Sequence, residues 1–309
     1  MQLYVSGSLA FDRIMVFPGK FADHILPDKL HILNVCFLVN GIEEKFGGTA
    51  GNIAYNLALL EEKPLVVAAV GRDFQAYERR FASLGLPLDG CRIVEEELTA
   101  SAHIVTDETS NQITAFNPGA MKASSQFTFA KPAGEALAIH APGNVDDMVN
   151  YSKACREQGI RYIFDPGQQI TALSGEQMTE AITGSYMLTT NDYELEMVMK
   201  ATGLTQAEIL ERTEILVTTL GGEGSRITTK DEVITVPVSP VSEVVDPTGA
   251  GDAYRAGLVK GLALGKDLET AGKMGATCAS FCVEASGTQA QSFTPDEFWA
   301  RYEKVFGPA

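Results

Sequence analysis

The residues best suited to chemistry lie in one short segment, 246–258, which begins Asp-Pro-Thr-Gly-Ala-Gly-Asp and leads into a helix-like run. The first N–H groups of a helix have no internal partner and carry the positive end of its dipole. A glycine turn with no bulky side chains exposes them to a phosphoryl group. The carboxylate of Asp252, at this same point, could orient or deprotonate an attacking hydroxyl. The segment therefore predicts transfer of a phosphoryl group to an alcohol.

A simpler interpretation of the same residues stays open. A Gly-Ala-Gly turn before a helix is often only a tight loop, and an acidic residue in the first turn is often only a partner of the helix dipole. The sequence has no Walker A motif, in which Lys and Ser or Thr close a glycine loop, so any phosphate site would be of another kind.

Segment 246–258 resembles, position for position, the second signature of the ribokinase-like carbohydrate and nucleoside kinases, the PfkB family. The resemblance implies that Asp252 is the catalytic base and that the amides of Gly249, Ala250 and Gly251 form the anion hole. It also implies that Thr248 contacts ATP, and that Asp246 helps to bind a monovalent cation such as K⁺.

Length and composition indicate one large α/β domain with a small subdomain. The chain has 309 residues, of which 45% are hydrophobic and 21% charged. No apolar run reaches the roughly 18 residues that a membrane span needs. The N-terminus enters a strand-like run without a leader pattern, so we expect a cytoplasmic protein without a membrane partner.

Charge and cysteine content exclude other classes of protein. A formal net charge of −16 argues against a nucleic-acid partner. ATP can still bind at a site where the N-termini of helices, a metal ion and basic side chains make the local electrostatic field positive. The five cysteines show no disulfide or metal spacing and suit free thiols. The four histidines show no helical metal pair, and we interpret them as structural.

Strand-like and helix-like runs alternate through the chain, which predicts right-handed βαβ units and a central, mostly parallel sheet flanked by helices. Two further sets of short apolar or alternating runs interrupt this rhythm, at 14–17, 32–39 and 43–46, and at 100–106 and 112–116. We expect them to form a small β-sheet lid, from about residues 12–46 and 99–118, within a single domain spanning 1–309. Such a lid would exclude water from the reaction, and a homodimer could form through it.

Polar residues and glycines at predicted strand and helix ends are the candidates for substrate binding. Asp12, with Ser8 nearby, follows the first predicted strand, where ligands of parallel α/β sheets sit. Asn52, after Gly47 and Gly48, offers a donor and an acceptor suited to vicinal hydroxyls. A simpler explanation is that Asp12 is an acidic residue of a turn and that Asn52 caps a helix. The resemblance implies instead that all five residues contact the nucleoside or sugar.

Two more candidates lie at later strand ends. Phe116 precedes a Pro-Gly turn and could stack on a flat base, although many such aromatic residues only pack. Gln169 follows Asp165 at another predicted strand end and could contact a base or sugar edge. Asp165 itself could act near the metal through water or cap the next helix.

The remaining candidates concern ATP and Mg²⁺. Asn191 and Glu194 match the family's Asn-x-x-Glu motif, which implies that they place Mg²⁺ through its waters and that Asn191 lies near ATP. An N-capped surface helix would explain them equally. Thr219, near the end of a predicted strand, could donate to a phosphate oxygen of ATP. The glycine-rich turn that follows, with Gly221, Gly222 and Gly224, has backbone room for adenine and phosphates and matches the family's nucleotide loop.

Within the family, the resemblance is closest to the bacterial adenosine and nucleoside kinases, which implies an ATP-dependent kinase of nucleoside 5′-hydroxyl groups. Adenosine is the first substrate it indicates. One departure is Ala102, at a position where the mycobacterial adenosine kinases place a second aromatic ring. A broad-range nucleoside kinase accepting inosine, guanosine or cytidine, a ribose- or fructose-type sugar kinase, and a non-catalytic nucleoside-binding protein on the same fold remain alternatives.

Overall fold

This computed structural model describes residues 1–308, which contain thirteen strands and nine α-helices joined by loops and short 3₁₀ helices. In chain order the strands are β1 (Gln2–Ser6), β2 (Ala10–Val16), β3 (Glu43–Gly47), β4 (Leu65–Gly71), β5 (Cys91–Val94), β6 (Ala100–Thr106), β7 (Gln112–Asn117), β8 (Ala136–His140), β9 (Arg161–Phe164), β10 (Ser185–Asn191), β11 (Thr213–Thr219), β12 (Ser225–Thr228) and β13 (Val233–Val236). The helices are α1 (Thr49–Leu59), α2 (Gln75–Ser83), α3 (Val145–Gln158), α4 (Gly175–Ile182), α5 (Asp192–Thr202), α6 (Gln206–Leu210), α7 (Ala250–Ala263), α8 (Leu268–Val283) and α9 (Pro295–Phe306).

The central sheet has nine strands in the order β13-β12-β11-β10-β9-β8-β1-β4-β5. Seven of them, from β11 to β5 in this order, run parallel, and β12 and β13 form an antiparallel hairpin at one edge. This arrangement confirms the predicted mostly parallel sheet. Because parallel strands end at a common edge, the loops after β1, β9, β10 and β11 lie on the same side of the molecule.

The two faces of the sheet bury different helices. In β8, Leu137 and Ile139 belong to the core shared with α1, α2 and α7, whereas Ala136 and Ala138 belong to the core shared with α3 and α4. This alternation follows from the two-residue period of a strand. Helices therefore cover both faces, as the sequence predicts.

Close packing of α7 on α8 fixes the helix that begins at segment 246–258. A Cβ atom added to Gly257 would lie 2.4 Å from the carbonyl oxygen of Met274, and one added to Gly275 would lie 2.9 Å from the carbonyl oxygen of Tyr254. Only glycine permits backbones this close. These two contacts hold α7 rigidly, so its N-terminal turn has a defined position.

A second sheet contains four strands in the order β3-β2-β6-β7, in which β2 and β6 are parallel and the other pairs antiparallel. This separate small sheet is the one that the alternating runs predict. On it, Ala102 of β6 lies directly opposite Phe116 of β7. The action of this small sheet as a lid or as a dimer contact stays a prediction.

One predicted strand of this small sheet is wrong. Residues 33–39 form no strand, and Pro27–Ile32 is a 3₁₀ helix. Leu38 is 84% exposed, so the apolar character of this run does not reflect burial in a sheet. Instead, Phe37 packs its ring 4.9 Å from the rings of both Phe17 and Phe21, centroid to centroid, and this aromatic cluster orders the segment.

Within residues 1–308, no helix has the length and apolar character that a membrane crossing requires.

Candidate active site

The turn before α7 is open toward solvent. Gly249 is the N-cap residue, with φ of 82°, and no side chain caps the helix. Pro247 and Thr248 are exposed and Gly249, Ala250 and Gly251 are half-buried, so other side chains do not seal the turn. A left-handed conformation of this kind favours glycine. We call residues 247–251 the phosphate turn.

The backbone amides of the phosphate turn differ in their partners. The amide of Ala250 donates to the carbonyl oxygen of Pro247 at 3.2 Å, whereas the amides of Gly249 and Gly251 have no acceptor within residues 1–308. Unpaired amides at the start of a helix attract anions. Of the three residues predicted to form the anion hole, Gly249 and Gly251 therefore offer the better donors.

Asp246 links the phosphate turn to the loop after α8. Its Oδ1 accepts a hydrogen bond from the amide of Thr248 at 2.9 Å, and its Oδ2 accepts one from the amide of Gly287 at 3.0 Å. Partial burial raises the pKa of Asp246, but these hydrogen bonds outweigh it and bring the pKa below the ordinary value. The structure thus gives Asp246 a role in holding the turn, and its part in a monovalent-cation site stays a prediction.

Asp252 lies in the first turn of α7 and is 9% exposed. Its Oδ2 accepts a 2.8 Å hydrogen bond from the side-chain amide of Asn52, in the first turn of α1. Burial raises the pKa of Asp252 above its ordinary value, while Arg255 and the hydrogen bond from Asn52 oppose this effect. The structure thus brings together two predicted site residues that are 200 positions apart in the sequence.

A chain of buried hydrogen bonds holds Asn52 in place. Gln289 donates to the side-chain oxygen of Asn52 at 3.1 Å and to the hydroxyl of Tyr77 at 2.7 Å, and Tyr77 donates to the carbonyl oxygen of Gly47 at 2.7 Å. Such a network fixes which way the Asn52 amide points, so that its nitrogen faces Asp252.

Asp12 lies on β2, over Gly47. A Cβ atom on Gly47 would be 2.5 Å from Oδ2 of Asp12, and one on Gly48 would be 2.6 Å from the carbonyl oxygen of Ser8. These two glycines let the start of α1 approach β2 and the residues just before it. Burial raises the pKa of Asp12, and the nearby charge of Lys45 opposes this.

Ser8 has a structural role that accounts for its hydroxyl. The Ser8 oxygen accepts the amide of Thr49 at 3.1 Å and lies 3.2 Å from the Thr49 hydroxyl. The carbonyl oxygen of Ser8 accepts the amides of Ala50 and Gly51. Ser8 therefore caps α1, and contact between Ser8 and a substrate stays a prediction.

The two predicted base contacts are placed differently. Phe116 is 52% exposed on β7, with a free ring face opposite the small side chain of Ala102. The side chain of Gln169 is half-buried and donates to the carbonyl oxygen of Gly143 at 2.8 Å. Phe116 is thus available for stacking, whereas Gln169 already has one internal partner.

An apolar cavity of about 340 Å³ adjoins the phosphate turn. Its lining includes all four residues predicted at the glycine-rich nucleotide loop: Thr219, Gly221, Gly222 and Gly224. Ala250 and Gly251 line it as well, together with apolar side chains such as Val244 and Ala279. A flat base could occupy this space with its phosphates directed toward the turn.

Asn191 and Glu194 form a capping box at the start of α5. Asn191 Oδ1 accepts the amide of Glu194 at 2.7 Å, and Glu194 Oε2 accepts the amide of Asn191 at 2.8 Å. Burial raises the pKa values of both Asp165 and Asp252, and the charge of Glu194 adds a smaller rise in each. Within residues 1–308, no cluster of three acidic, His or Cys side chains could hold a metal ion directly. The carboxylate and amide oxygens of this pair are ligand types that suit Mg²⁺ and its waters, and placement of the ion by Asn191 and Glu194 stays a prediction.

Arg255 and Asp165 form a buried ion pair that no sequence pattern predicts. Arg255 Nη2 donates to Asp165 Oδ1 at 2.8 Å, and Nε lies 2.5 Å from Oδ2. Burial is the largest influence on Asp165 and raises its pKa to about 7, although Arg255 opposes it. The sequence contains one signal for a place of Arg255 near the turn: Arg255 follows Gly251 by four residues, so the two lie on the same face of α7.

These features define a class of protein: a phosphotransferase that acts on a hydroxyl group, built on the ribokinase-like fold. Residues 13–295 match the pfkB family carbohydrate kinases, and the chain belongs to that family. The predicted family and fold are thereby confirmed.

Several relatives resemble the chain over nearly its whole length. A nucleoside kinase of Methanocaldococcus jannaschii is 35% identical over 274 residues, covering 88% of this chain and 90% of that protein. A nucleoside kinase of Methanothermobacter thermautotrophicus is 32% identical over 306 residues, covering 96% and 97%. Among solved structures, Burkholderia thailandensis nucleoside kinase in complex with inosine superposes with a TM-score of 0.87 at 36% identity, covering 99% and 98%.

Proposed function

We propose that this protein transfers the γ-phosphoryl group of ATP to the 5′-hydroxyl of a nucleoside. One observation carries the proposal: the phosphate turn borders the apolar cavity and is followed at once by Asp252, which Asn52 anchors from the other side. A phosphate donor in the cavity and an alcohol beside Asp252 would therefore meet at the start of α7.

In this mechanism Asp252 orients the acceptor hydroxyl and receives its proton. Burial raises the pKa of Asp252, which makes the carboxylate a better base than an exposed aspartate. The amides of Gly249 and Gly251 stabilise the negative charge that spreads over the phosphoryl oxygens. A loose transition state asks for positioning more than for early proton removal, so a weakly basic carboxylate is sufficient.

Asn191 and Glu194 would hold waters of a Mg²⁺ ion that arrives with ATP, and the ion would supply charge neutralisation of the phosphates. Asp12 and Asn52 would bind the ribose hydroxyls, with Gly47 and Gly48 providing the backbone room. A K⁺ ion near Asp246 remains part of the prediction but is not needed for these steps.

The acceptor is proposed to be a nucleoside because Phe116 offers a ring face that a sugar would not use. Relatives described as nucleoside kinases, one solved with inosine, support this choice. Ala102 opposite Phe116 leaves space where a second ring would otherwise sit. We therefore propose a base range that includes adenosine and extends to inosine, guanosine or cytidine.

A panel of acceptors tests this function. ADP release would be measured with ATP, Mg²⁺ and adenosine, inosine, guanosine, cytidine, ribose or fructose, one at a time. We expect kcat/KM for at least one nucleoside to exceed that for both sugars. Higher turnover of a sugar than of every nucleoside would reject the proposed acceptor class.

A further inference from the structure

Arg255 lies beside the phosphate turn, and the mechanism above does not use this residue. It lies on α7 one helical turn after Gly251, and its guanidinium folds back toward the start of the helix. A Cβ atom built on Gly251 would be 2.7 Å from Nη1 of Arg255. The guanidinium therefore lies against the backbone whose amides face the phosphate site.

Asp165 fixes the guanidinium in this position. Nη2 donates to Oδ1 at 2.8 Å, and Nε lies 2.5 Å from Oδ2 as an ion-pair contact without hydrogen-bond geometry. Asp165 is fully buried at the end of β9. A planar guanidinium held by one hydrogen bond and by the charge of a buried carboxylate loses much of its rotational freedom. Nη1, the nitrogen next to Gly251, has no hydrogen-bond acceptor within residues 1–308.

The surroundings of Arg255 are strongly acidic. Asp165 follows β9, Asp252 lies on α7 and Glu194 lies on α5, and all three charges favour the protonated guanidinium. Asp252 is also faced by the neutral side chains of Asn52 from α1 and Cys282 from α8. Arg255 is thus the positive charge that keeps several buried acids compatible with an anionic substrate.

We propose that Arg255 is a positioning residue for phosphoryl transfer: anchored by Asp165, its guanidinium lies against the backbone of the phosphate turn and stabilises the turn as negative charge develops there. This inference rests on the proposed function, because it needs Asp252 to act as the base. It assigns Asp165 the role of anchor, in place of the metal or capping roles that its sequence position suggests.

The test uses the full chain with three changes: Arg255→Gln, Arg255→Lys and the double change Asp165→Asn with Arg255→Gln. The double change replaces the ion pair by a neutral pair of similar shape, which removes the cost of an unpaired buried acid. Lys260→Gln is the matched control, since it removes another ion pair of α7, with Glu62 at 2.7 Å, far along the helix from the turn.

We expect Arg255→Gln to lower kcat about 100-fold with little change in the KM of the nucleoside. The acidic limb of the pH profile of kcat/KM should move to higher pH by about one unit. The substitution removes the positive charge of Arg255, which lowers the pKa of Asp252. Arg255→Lys should keep the limb near its wild-type position, and Lys260→Gln should match wild type.

The double change separates a charge role from a packing role. If Arg255 acts through its charge, the double variant stays as slow as Arg255→Gln and keeps the shifted limb. Recovery of wild-type kcat and pH profile in the double variant would overturn the proposal, as would an unshifted limb in Arg255→Gln. If Arg255→Gln fails to fold, the kcat and pH profile of the double variant alone decide between a charge role and a packing role. A wild-type protein without turnover of any nucleoside would instead reject the proposed function.

Discussion

The side-chain amide of Asn52 donates a 2.8 Å hydrogen bond to Oδ2 of Asp252, which joins the first turns of α1 and α7. Oδ1 of Asp252 has no hydrogen-bond partner within residues 1–308, so this oxygen is available to an acceptor hydroxyl. Because Gln289 and Tyr77 fix the Asn52 amide in turn, the direction of the carboxylate is set before any substrate binds. This preorganisation is the basis of the predictions that follow.

Asp252→Asn is expected to lower kcat by about three orders of magnitude, since the general base is lost while its shape is kept. Turnover should be measured with the best nucleoside and saturating ATP. A variant with undiminished kcat would reject the assignment of Asp252 as the base.

The same substitution should not destabilise the fold at neutral pH. Burial raises the pKa of Asp252 in the folded protein, so the stability that this group contributes is present below its unfolded-state pKa and is lost as pH rises through its folded-state pKa. An asparagine cannot ionise and therefore does not lose stability in this way. The melting temperature of Asp252→Asn at pH 7 should equal or exceed that of wild type. A lower melting temperature would show that the ionised carboxylate stabilises the fold.

Asn52→Asp would place a second carboxylate at hydrogen-bond distance from Asp252. Two such groups cannot both ionise easily, so the apparent pKa of the pair should rise and the acidic limb of kcat/KM should move up by more than about one unit. Asn150→Asp, at an exposed position of α3, is the control and should leave the profile unchanged. An unmoved limb in Asn52→Asp would contradict the contact with Asp252.

Phe116→Ala is expected to raise the KM of nucleosides about fivefold, because base stacking contributes on the order of 1 kcal/mol, and to leave the KM of ATP unchanged. Ile113→Ala, on the same strand and also exposed, is the control. Ala102→Tyr should lower the KM of adenosine, since it supplies a second ring opposite Phe116. If Phe116→Ala binds nucleosides as wild type does, the ring does not contact the base.

Gly249→Ala is expected to lower the free energy of unfolding by about 1–2 kcal/mol, because a β-carbon is unfavourable at its φ of 82°. The added Cβ would also lie 3.0 Å from side-chain atoms of Thr288. Gly222→Ala is the control, since a Cβ there meets no atom within 4 Å. Urea unfolding compares the two, and equal loss of stability would contradict the strain assigned to Gly249.

Ala279→Phe would fill the apolar cavity beside the phosphate turn. The KM of ATP should rise at least about tenfold, since the base would lose its space, whereas nucleoside affinity measured without ATP should not change. Ala201→Phe, on the exposed side of α5, is the matched control. An unchanged KM of ATP would place the nucleotide elsewhere.

Local patterns made part of this site predictable. The phosphate turn and Asp252 lie within a few residues of each other, so one segment of sequence encodes both the open helix start and the carboxylate. The glycine-rich turn after β11 likewise borders the cavity where the sequence places a nucleotide. In both cases, the chemistry depends on neighbours in the chain.

Other features depend on contacts that the sequence does not display. Arg255 and Asp165 are 90 positions apart, and the ion pair exists only because β9 ends beside α7. The run 32–39 has strand-like apolar residues, but an aromatic cluster around Phe37 orders it instead of a sheet. Asn191 and Glu194 illustrate a third limit, since a capping box and a water-mediated metal site require the same two side chains at the same spacing.

Identification of the product shows whether the phosphoryl group of ATP reaches a nucleoside hydroxyl with the help of Asp252. Wild type and Asp252→Asn would each be incubated with ATP, Mg²⁺ and the nucleoside that the acceptor panel selects, and the phosphorylated product would be identified by mass spectrometry and phosphorus NMR. Wild type should give stoichiometric ADP and nucleoside 5′-monophosphate, and Asp252→Asn should form them at about one-thousandth of that rate. ADP without a phosphorylated nucleoside, or equal rates from both proteins, would contradict this mechanism.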